Sequence, residues 1–415
     1  MITVGLTVTV VNPIQTKESN PLDTLLEARK ILPRAIELRR KIHANPELGN
    51  HLPMTTAAVI NELSDLDLEI RKSNSTTSLI ATLQGDKPGP RILLRGDMDA
   101  LPMPENNDLP FASRVENKMH ACGHDAHTAM LAGAARLLSQ TKQNLRGTVD
   151  FSFQTGEEGY FGAKVVLDEG LLEKPQSPDA VFAIHITPLL DSGKFTGKAG
   201  PLLAAADSWE ITLKGKGGHA SMPHDCIDPI PVACEIVQAL QHLVVSRINI
   251  SDPIVLTTTK IQAGTTTNVI PETAILAGTL RSTSEKSRNK AHKGIHRIAE
   301  QIAQAHEVTA ETTIQRGYPV TVNDAEFVNL ARQTVKQTFG DQAYIPMRSV
   351  MMGAEDFSYL LERWPGAMLF LGVKPDDPSL AAPCHSNRMI LNEDAMAHGI
   401  ALHTQIAIDY LNGNG

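Results

Sequence analysis

The sequence predicts an α/β protein in which a mostly parallel sheet carries helices on both faces and a smaller domain is inserted into the larger one. The chain has 415 residues, of which 42% are hydrophobic, so it can bury a large core and form about two domains. Strand patterns alternate with helical patterns in the first half, which is typical of a parallel sheet. Beyond Ser208 the order of the patterns changes, which indicates the inserted domain.

Helical periodicity and buried apolar runs define the elements of the first half. Apolar residues at helical intervals predict an amphipathic helix over residues 21–43, ending before Pro46. Short apolar runs between turn residues then predict buried strands, and helical patterns separate them. The strands are 91–95, 148–153 and 180–186, and the helices are 125–140 and 162–172.

The inserted domain is predicted as strand, helix, strand, strand, helix, strand. Its strands are 208–213, 254–261, 273–280 and 308–314, and its helices are 228–248 and 285–306. This β-α-β-β-α-β order is that of a small ferredoxin-like domain. Helix 323–337, strand 367–372 and helix 392–411 then resume the larger domain. We therefore predict a larger domain of residues 1–204 and 317–415 and an inserted domain of residues 205–316.

The charge balance excludes one class of partner. The chain has 46 acidic and 38 basic residues, a net charge of -8 and no run rich in Lys or Arg, whereas nucleic-acid binding requires a basic surface. We therefore expect no nucleic-acid partner. The four cysteines, at positions 122, 226, 234 and 384, form no CxxC pair and are too few for a disulfide framework. They favour a reducing compartment, and we predict a cytoplasmic protein.

The first residues are the exception to this cytoplasmic pattern. Residues 1–12 are apolar but have no basic segment before them, and no obvious cleavage site follows. A truncated or atypical N-terminal targeting segment is the alternative interpretation. No run approaches the ~20 consecutive apolar residues of a membrane span, so we expect no membrane partner.

A cluster of metal-ligand side chains lies between residues 119 and 127. This segment holds His120, Cys122, His124 and His127, although the whole chain has only 15 histidines and 4 cysteines. Thiolate and imidazole at this density suit zinc, and imidazole with carboxylate also suits manganese or nickel. The alternative is a helix start whose polar residues cap free N–H groups.

Carboxylates and one histidine occur where three predicted strands end. Asp97 and Asp99 follow the first strand, Glu157 and Glu158 follow the second, and His185 ends the third. Open α/β sheets bind ligands beyond the carboxyl ends of their strands, so we expect these groups to converge on one edge. Of two adjacent carboxylates, one can bind metal while the other acts as general base. Taken alone, a Glu pair is usually a solvated turn and a single His a structural residue.

Nine motifs, in the same order along the chain, resemble one known family. They are RKIHANPEL (40–48), RGDMDALP (95–102), MHACGHDAH (119–127), FQTGEEG (153–159), GKGGHASMPH (215–224), TTTNVIPE (265–272), GTLRS (278–282), GAEDF (353–357) and CHSN (384–387). The chain resembles the di-metal amidohydrolases of the aminoacylase and carboxypeptidase G family. The resemblance is strongest to the branch of hippurate hydrolase, indole-acetyl-amino-acid hydrolase and N-acyl-L-amino-acid amidohydrolase. It implies a di-zinc exopeptidase-like fold with an inserted dimerisation or lid domain.

The resemblance implies two divalent metal ions per subunit, zinc or manganese first, with nickel and cobalt as alternatives. The implied ligands are Cys122, His124, Glu158, His185 and His385, with Cys122 as the bridge. Glu157 corresponds to the general base that activates the attacking water and later protonates the leaving amine. Asp97 and Asp99 occupy the segment where other branches carry a metal-binding His and a base-orienting Asp, so we expect them to support or orient the site.

The resemblance also gives the inserted domain a role. In relatives, the residue that matches His219 reaches the active site of the neighbouring subunit and stabilises the tetrahedral oxyanion, which implies a homodimer or a higher homo-oligomer. Asn268 and Arg281 match residues that contact the substrate's amide and carboxylate, and Gly353 in the GAEDF motif is also expected to bind substrate. A phosphate loop at residues 217–218 is a weak alternative, because neither nucleotide-binding glycine pattern is present.

Two local departures from the family pattern leave every expected ligand in place. Residues 155–156 are Thr-Gly where relatives carry Pro-Ala, and residues 386–388 are Ser-Asn-Arg where relatives carry Ser-Pro-x-Phe. Cys384 beside His385 is either a spare ligand or a structural thiol, and the structural role is the better interpretation.

We therefore predict a metal-dependent amidohydrolase with a small-molecule substrate. Its reaction is hydrolysis of the amide bond of an N-acyl or N-aroyl amino acid, which releases a carboxylic acid and a free amino acid. A dipeptidase or carboxypeptidase of the same family is the first alternative. A non-catalytic metal-binding or peptide-binding module is the alternative from another class, and the intact Glu157 and Glu158 pair argues against it.

Overall fold

The computed structural model of the protein describes residues 23–413. Its helices are α1 (Thr24–His43), α2 (Pro53–Leu63), α3 (His124–Gln140), α4 (Gly162–Asp168), α5 (Pro229–Arg247), α6 (Glu285–Ala305), α7 (Ala325–Phe339), α8 (Ser358–Leu361) and α9 (Met396–Leu411). Strands β1 to β8 are Glu69–Lys72, Leu79–Gln84, Lys87–Asp97, Arg146–Gln154, Ala180–Thr187, Phe195–Gly197, Gly200–Leu203 and Ala205–Lys214. Strands β9 to β16 are Gly218–His219, Ile254–Ala263, Val269–Ile270, Thr273–Ser282, Thr309–Arg316, Thr321–Asn323, Tyr344–Pro346 and Gly366–Gly372. The apolar residues 1–12, and residues 21–22 of the predicted first helix, lie outside the described residues.

One eight-stranded sheet organises the larger domain. Its strand order is β1-β2-β4-β3-β5-β16-β6-β15. The central pairs β4/β3, β3/β5 and β5/β16 are parallel, as is the edge pair β6/β15. The pairs β1/β2, β2/β4 and β16/β6 are antiparallel. The predicted α/β class is confirmed, with the antiparallel pairs on either side of a parallel centre.

Side chains alternate between the two faces of this sheet, so each face has its own apolar core. On β3, Ile92 and Leu94 pack in the core that contains α1, α3, α7 and α9, whereas Leu93 packs in a smaller core with α4 and α8. All three side chains are fully buried, and burying one such side chain contributes roughly 1.5–3 kcal/mol. Burial on both faces explains why β3 is predicted from a continuous apolar run.

A glycine shapes the loop that precedes α3. Gly123 has a φ of 86°, in the left-handed region that glycine favours. A Cβ atom at this position would lie 2.5 Å from Cγ1 of Ile186 on β5, so a larger residue would not fit. This close approach brings Cys122 and His124, on either side of Gly123, against the end of β5.

A second sheet is formed by the inserted segment. Its order is β10-β12-β8-β13, and each neighbouring pair is antiparallel. Helices α5 and α6 pack on one face through a core that includes Trp209, Ile236 and Ile295. The observed order β8-α5-β10-β12-α6-β13 is the predicted β-α-β-β-α-β arrangement. Strand β8 begins at Ala205 and β13 ends at Arg316, and the domain limits of 205 and 316 stay a prediction.

Helix α5 has the length and apolar composition of a membrane-crossing helix. Val232, Ile236 and Leu240 on its buried face contribute to the core of the small sheet. A helix that packs on a protein core passes the same composition test, so this finding is weak support for a membrane span. The expectation of no membrane partner stays a prediction.

Two predicted helices are shorter than expected, and the sequence does not predict several short elements. Helix α4 ends at Asp168, because Gly170 has a left-handed φ of 64°. Helix α9 begins at Met396, because Asn392 caps a short 3₁₀ turn before it. The elements without a prediction are α2, α8, β1, β2, β6, β7, β9, β11, β14 and β15. Most are too short for hydrophobic periodicity to identify.

Candidate active site

Three parallel strands of the large sheet end beside one another and carry the predicted polar residues. Asp97 is the last residue of β3, Glu157 and Glu158 follow the end of β4, and His185 lies near the end of β5. Because β4, β3 and β5 are mutually parallel, their carboxyl ends share one edge of the sheet. Cys122, in the loop before α3, joins them there.

Two groups of ligand-type side chains share Cys122. Cys122, His124 and His185 each offer one ligand atom, and these atoms lie within 4.8 Å of one another. Cys122, Glu158 and His385 form a second group that meets the same limit. Sγ of Cys122 lies 3.4 Å from Nε2 of His185, and Nε2 of His385 lies 3.3 Å from Oε1 of Glu158. A thiol common to two such groups can bridge two divalent ions.

The hydrogen bonding of these side chains fits metal ligation. Both ring nitrogens of His124 and Oε1 of Glu158 are buried without a hydrogen-bond partner among residues 23–413. Buried polar atoms are normally paired, so these atoms are suited to hold a ligand. Nδ1 of His185 donates to the backbone carbonyl of Ile186 at 2.6 Å, which leaves the lone pair of Nε2 on the side of Cys122.

His127 and Asp97 lie behind this cluster and support it. Nε2 of His127 accepts from the backbone N–H of Ile186 at 2.8 Å, so Nδ1 carries the proton and donates it to Oδ1 of Asp97 at 2.6 Å. Oδ2 of Asp97 accepts from Arg95 at 2.6 Å. Burial alone would raise the pKa of Asp97, but the charge of Arg95, together with His124 and the hydrogen bond from His127, holds it well below its ordinary value. Both Asp97 oxygens are therefore engaged by neighbouring protein groups.

Asp99 holds the turn that carries the two glutamates. Oδ1 of Asp99 accepts from the backbone N–H of Glu157 at 2.9 Å, and Oδ2 accepts from that of Glu158 at 3.0 Å. Oδ1 also lies 3.5 Å from Nδ1 of His124. Asp99 therefore fixes the backbone of the turn and leaves both glutamate side chains directed at the cluster.

The two adjacent glutamates have different electrostatic environments. Burial raises the pKa of Glu157 well above its ordinary value, and nearby carboxylates, led by that of Glu355, raise it further. Burial acts on Glu158 in the same direction, but the close approach of His385 and the charge of His124 outweigh it and lower the pKa of Glu158. Carboxylates whose pKa values diverge in this way are suited to separate roles, proton transfer for one and cation binding for the other.

A cavity of about 660 Å³ opens onto this cluster. Its polar lining includes Cys122, Glu157, Glu158, His185 and His385, and its apolar lining includes Phe161, Leu189, Leu203, Met351, Met368 and Phe370. Arg281 and Gly353, which are both predicted to bind substrate, also line it. Apolar walls beside an arginine fit a small ligand with an apolar part and a carboxylate.

A comparison with known protein families shows to which family the chain belongs. Residues 93–409 match Peptidase family M20/M25/M40. The chain belongs to this family. The predicted resemblance to di-metal amidohydrolases is thereby confirmed, and it extends through most of the larger domain and the whole inserted domain.

Individual known proteins are similar to this chain along most of their length. Thermostable carboxypeptidase 2 from Saccharolobus solfataricus is 37% identical over 381 residues, which are 91% of this chain and 95% of that protein. N-acetylcysteine deacetylase from Bacillus subtilis is 37% identical over 376 residues, which are 90% of this chain and 96% of that protein. The crystal structure of a dinuclear metal-binding M20 peptidase from Bacillus subtilis has a TM-score of 0.81 at 34% identity, and the match covers 92% of this chain and 99% of that one.

Two residues predicted from the M20 pattern lie outside the cavity of this chain. His219 is on β9 and Asn268 directly precedes β11, and the backbone N–H of Ala220 donates to the Asn268 carbonyl at 3.1 Å. Both side chains are exposed. The backbone N–H of Ser221 donates to Nδ1 of His219 at 3.1 Å, which places the proton of a neutral His219 on Nε2. The structure therefore brings these two residues near each other but not to the predicted ligands.

Three residues beside the cluster of ligand-type side chains are not among the site residues that the sequence predicts. The Tyr318 hydroxyl donates to the backbone carbonyl of Glu157. Glu355 and Asp356 accept from the buried Arg95 at 3.0 and 2.8 Å. Glu355 and Asp356 belong to the GAEDF motif, which is a signal that could have identified them. No sequence pattern marks Tyr318, because a single tyrosine after a strand has no chemical signature.

Proposed function

We propose that the protein hydrolyses the amide bond of N-acyl or N-aroyl amino acids and releases a carboxylic acid and a free amino acid. The observation that carries this proposal is the position of Cys122 in two groups of ligand-type side chains, with Glu157 beside them. Membership of a peptidase family supports cleavage of an amide bond. The similarity to an N-acetylcysteine deacetylase supports an N-acyl amino acid as the substrate.

Two divalent ions fit the donor set. Cys122, His124 and His185 would hold one ion, and Cys122, Glu158 and His385 would hold the other. The similar Bacillus subtilis structure is that of a dinuclear metal-binding peptidase. Thiolate with imidazole favours zinc, manganese is the next candidate, and nickel and cobalt follow. When bound, the ions supply Lewis acidity to the amide carbonyl and to the attacking water.

The protein's own side chains move the protons and orient the substrate. Glu157 acts as general base, because its buried carboxylate has a raised pKa, and it then returns the proton to the leaving amine nitrogen. Asp99 keeps Glu157 in place by accepting from its backbone N–H, and Asp97 orients the supporting His127 by accepting from the Nδ1–H of its ring. Arg281, on the cavity wall, binds the substrate's free carboxylate through its planar fork.

We infer that a second copy of the chain completes the site. Strand β10 is an edge strand with exposed Val255 and Ile261, which suits it to a homodimer or a higher homo-oligomer. In that assembly Nε2–H of His219 would donate to the oxyanion in the other copy's site, and Asn268 would contact the substrate amide. Gly353 would leave room for the substrate on the cavity wall.

Glu157→Gln tests the proposed function. Turnover of an N-acyl amino acid should fall by about 10²–10⁴-fold, while two metal ions per chain are retained, because only the proton acceptor is removed. The measurements are steady-state kinetics and elemental analysis of metal content. Glu326→Gln, at an exposed position of α7, is the matched control and should keep full activity. Unchanged turnover in Glu157→Gln would remove Glu157 as the base, and loss of metal would assign it to ligation.

A carboxypeptidase or dipeptidase is the second candidate, favoured by the similarity to the Saccharolobus solfataricus carboxypeptidase. Protein reconstituted with zinc, manganese, cobalt or nickel should be assayed with N-acetyl amino acids, hippurate and dipeptides. Turnover of dipeptides alone would replace the amidohydrolase proposal. Metal binding without turnover of any of them would favour the non-catalytic module.

The proposed site also bears on compartment and domain organisation. All four cysteines, which lie within the described residues, are free. A bridging thiolate must stay reduced, so we propose a cytoplasmic location.

The two separate sheets support a larger domain of residues 1–204 and 317–415 and an inserted domain of residues 205–316.

A further inference from the structure

We propose that Tyr318 is a positioning residue that couples the inserted domain to Glu157. The proposal rests on the proposed function, because it treats Glu157 as the general base. Strand β13 of the inserted domain ends at Arg316, so Tyr318 is among the first residues of the return to the larger domain. Its side chain is 8% exposed and lines the cavity beside the turn that carries Glu157.

The Tyr318 hydroxyl closes this turn through three backbone groups. It donates to the carbonyl of Glu157, and it accepts from the N–H groups of Gly159 at 2.9 Å and Phe161 at 3.4 Å. The N–H of Gly159 also donates to the Glu157 carbonyl at 2.7 Å. One hydroxyl therefore ties the start of the turn at Glu157 to its end at Phe161.

The turn needs such an external contact, because its backbone is strained. Phe161 has a φ of 57°, in a region that residues with a side chain rarely adopt, and Gly159 has a φ of 85°. Strained conformations persist where the surroundings determine them. The Phe161 ring packs edge-on against the Tyr318 ring, with centroids 5.1 Å apart. Tyr318 therefore holds both the backbone and the aromatic side chain of the strained residue.

The peptide groups of Glu157 are held from two sides. Asp99 accepts from the Glu157 N–H at 2.9 Å, and Tyr318 donates to the Glu157 carbonyl. Asp99 follows β3 of the larger domain, whereas Tyr318 follows β13 of the inserted domain. Of these two contacts, the one from Tyr318 connects the proposed base to the inserted domain.

The backbone around Tyr318 is anchored to the inserted domain. Its carbonyl accepts from the N–H of Ala206 on β8 at 3.1 Å. The preceding Gly317 donates its N–H to Asp207 at 3.0 Å, and its carbonyl accepts from Arg288 on α6 at 3.1 Å. Arg288 and Asp207 form a buried salt bridge with each other. A displacement of β8 or α6 would therefore move Gly317, and through it Tyr318.

Tyr318→Phe removes the hydroxyl and keeps the ring. We expect kcat to fall about 5- to 20-fold, with KM within about twofold of wild type and both metal ions retained, because a misplaced base weakens the transition state alone. Tyr359→Phe is the matched control: its ring lies 6.2 Å from the Tyr318 ring, and it makes no hydrogen bond to the Glu157 turn within residues 23–413. We expect this control to keep wild-type kcat. A wild-type kcat in Tyr318→Phe, or an equal loss in both variants, would overturn the proposal.

The coupling itself is tested from the side of the inserted domain. Asp207→Asn weakens the anchor at Gly317 but leaves the Tyr318 hydroxyl intact, and Arg288→Lys is the second variant if Asp207→Asn fails to fold. We expect kcat to fall less than in Tyr318→Phe. Combining either variant with Tyr318→Phe should lower kcat no further than Tyr318→Phe alone. Losses that multiply would show independent effects and would overturn the coupling.

A double-mutant cycle separates this inference from the proposed function. Glu157→Asp keeps the carboxylate on a shorter side chain, so Tyr318→Phe should lower kcat less in that background than in wild type. Equal losses in both backgrounds would show that Tyr318 does not act through Glu157. If the wild-type protein hydrolyses no N-acyl or N-aroyl amino acid, the proposed function itself fails, and if Glu157→Gln keeps wild-type turnover, Glu157 is not the base. If Glu157→Gln is inactive and Tyr318→Phe matches wild type, only the present inference fails.

Discussion

The larger domain and the inserted domain differ in how they hold most of their histidines, although His51 and the predicted ligand His385 of the larger domain are also exposed. The larger domain buries His43, His120, His124, His127 and His403. The inserted domain exposes His219, His224, His242, His296 and His306. Burial fixes the partners and the protonation state of a histidine, whereas an exposed histidine depends on the surface that it meets. The larger domain therefore assembles its ligand-type side chains within one chain, while the proposed contribution of the inserted domain depends on a second copy.

Replacing Cys122 in the larger domain should have the largest effect of the substitutions considered. Cys122→Ala removes the side chain shared by both ligand groups, so metal content should fall below two ions per chain. Turnover should fall by about 10³-fold or more, because the metal-assisted reaction loses its assembled site. Elemental analysis and steady-state kinetics measure the two effects.

A neighbouring thiol provides the control for this prediction. Sγ of Cys384 lies 3.9 Å from the backbone carbonyl of Cys122, and Cys384 also lines the cavity. Cys384→Ala should keep two ions per chain and most of the activity, since Cys384 belongs to neither ligand group among the described residues. Two tightly bound ions in Cys122→Ala would contradict a bridging role.

Replacing His219 tests the proposed contribution of the inserted domain to catalysis. His219→Ala should lower kcat about 10²–10³-fold, which is the typical loss when one oxyanion donor is removed. Metal content and oligomeric state should stay as in wild type, because His219 is exposed and lies away from the ligand groups. His224→Ala, at another exposed position of the same segment, is the matched control and should stay active.

Mixing two inactive variants tests whether His219 acts across subunits. A mixed dimer of His219→Ala and Glu157→Gln chains contains one site with both an intact Glu157 and an intact His219 from the other chain. Random exchange makes about half of the dimers mixed, so about a quarter of wild-type turnover should return. No recovery after subunit exchange has been verified would show that His219 acts within its own chain or has no role.

The sequence locates the site residues at the strand ends, but it does not show the contacts that site residues make with distant segments. Asp97, Glu157 and His185 are predictable because strand ends place them, and apolar runs locate those ends. The tautomer of His127 and the backbone contacts of Asp99 depend on hydrogen bonds between distant segments, which periodicity does not contain. For the same reason, the proposed role of His219 follows from the family resemblance and not from the geometry of one chain.

Contacts between residues far apart in the sequence also limit how much of the remaining fold the sequence predicts. Tyr318 bonds to Glu157, which is 161 residues earlier in the chain, and neither residue's local sequence indicates the other. The same holds for Arg95 with Glu355, which are 260 residues apart. Local patterns predict where elements and charges occur, whereas these pairings appear only when the elements pack.

Arg281 links the two domains, because it is on β12 of the inserted sheet and still lines the cavity. Arg281→Ala should raise KM for an N-acyl amino acid about 10- to 100-fold with a smaller change in kcat, since an arginine fork binds a carboxylate through two charge-assisted bonds. The difference should vanish for the corresponding N-acyl amino acid amide, which has no free carboxylate. Arg297→Ala, at an exposed position of α6, should behave as wild type. An equal loss on acid and amide would contradict carboxylate binding.

His403 gives the smallest expected effect, and it concerns stability. Burial lowers the pKa of His403 to about 3, and its Nδ1 has no hydrogen-bond partner in the described part of the chain. In the unfolded chain its pKa is about 6.5, so between about pH 6.5 and 3 the unfolded state binds a proton that the folded state does not. The free energy of unfolding should therefore decrease as the pH falls through this window, by about 1.4 kcal/mol per pH unit from this residue. Buried His120, whose pKa is also lowered to about 3, adds its own pH dependence in wild type and in both variants. Denaturant titrations at pH 7 and pH 5 should therefore show a loss that is about 2 kcal/mol smaller in His403→Leu than in wild type, and an unchanged loss in His242→Gln, whose histidine is exposed. The same pH dependence in both variants would show that burial of His403 does not distinguish the larger domain from the inserted one.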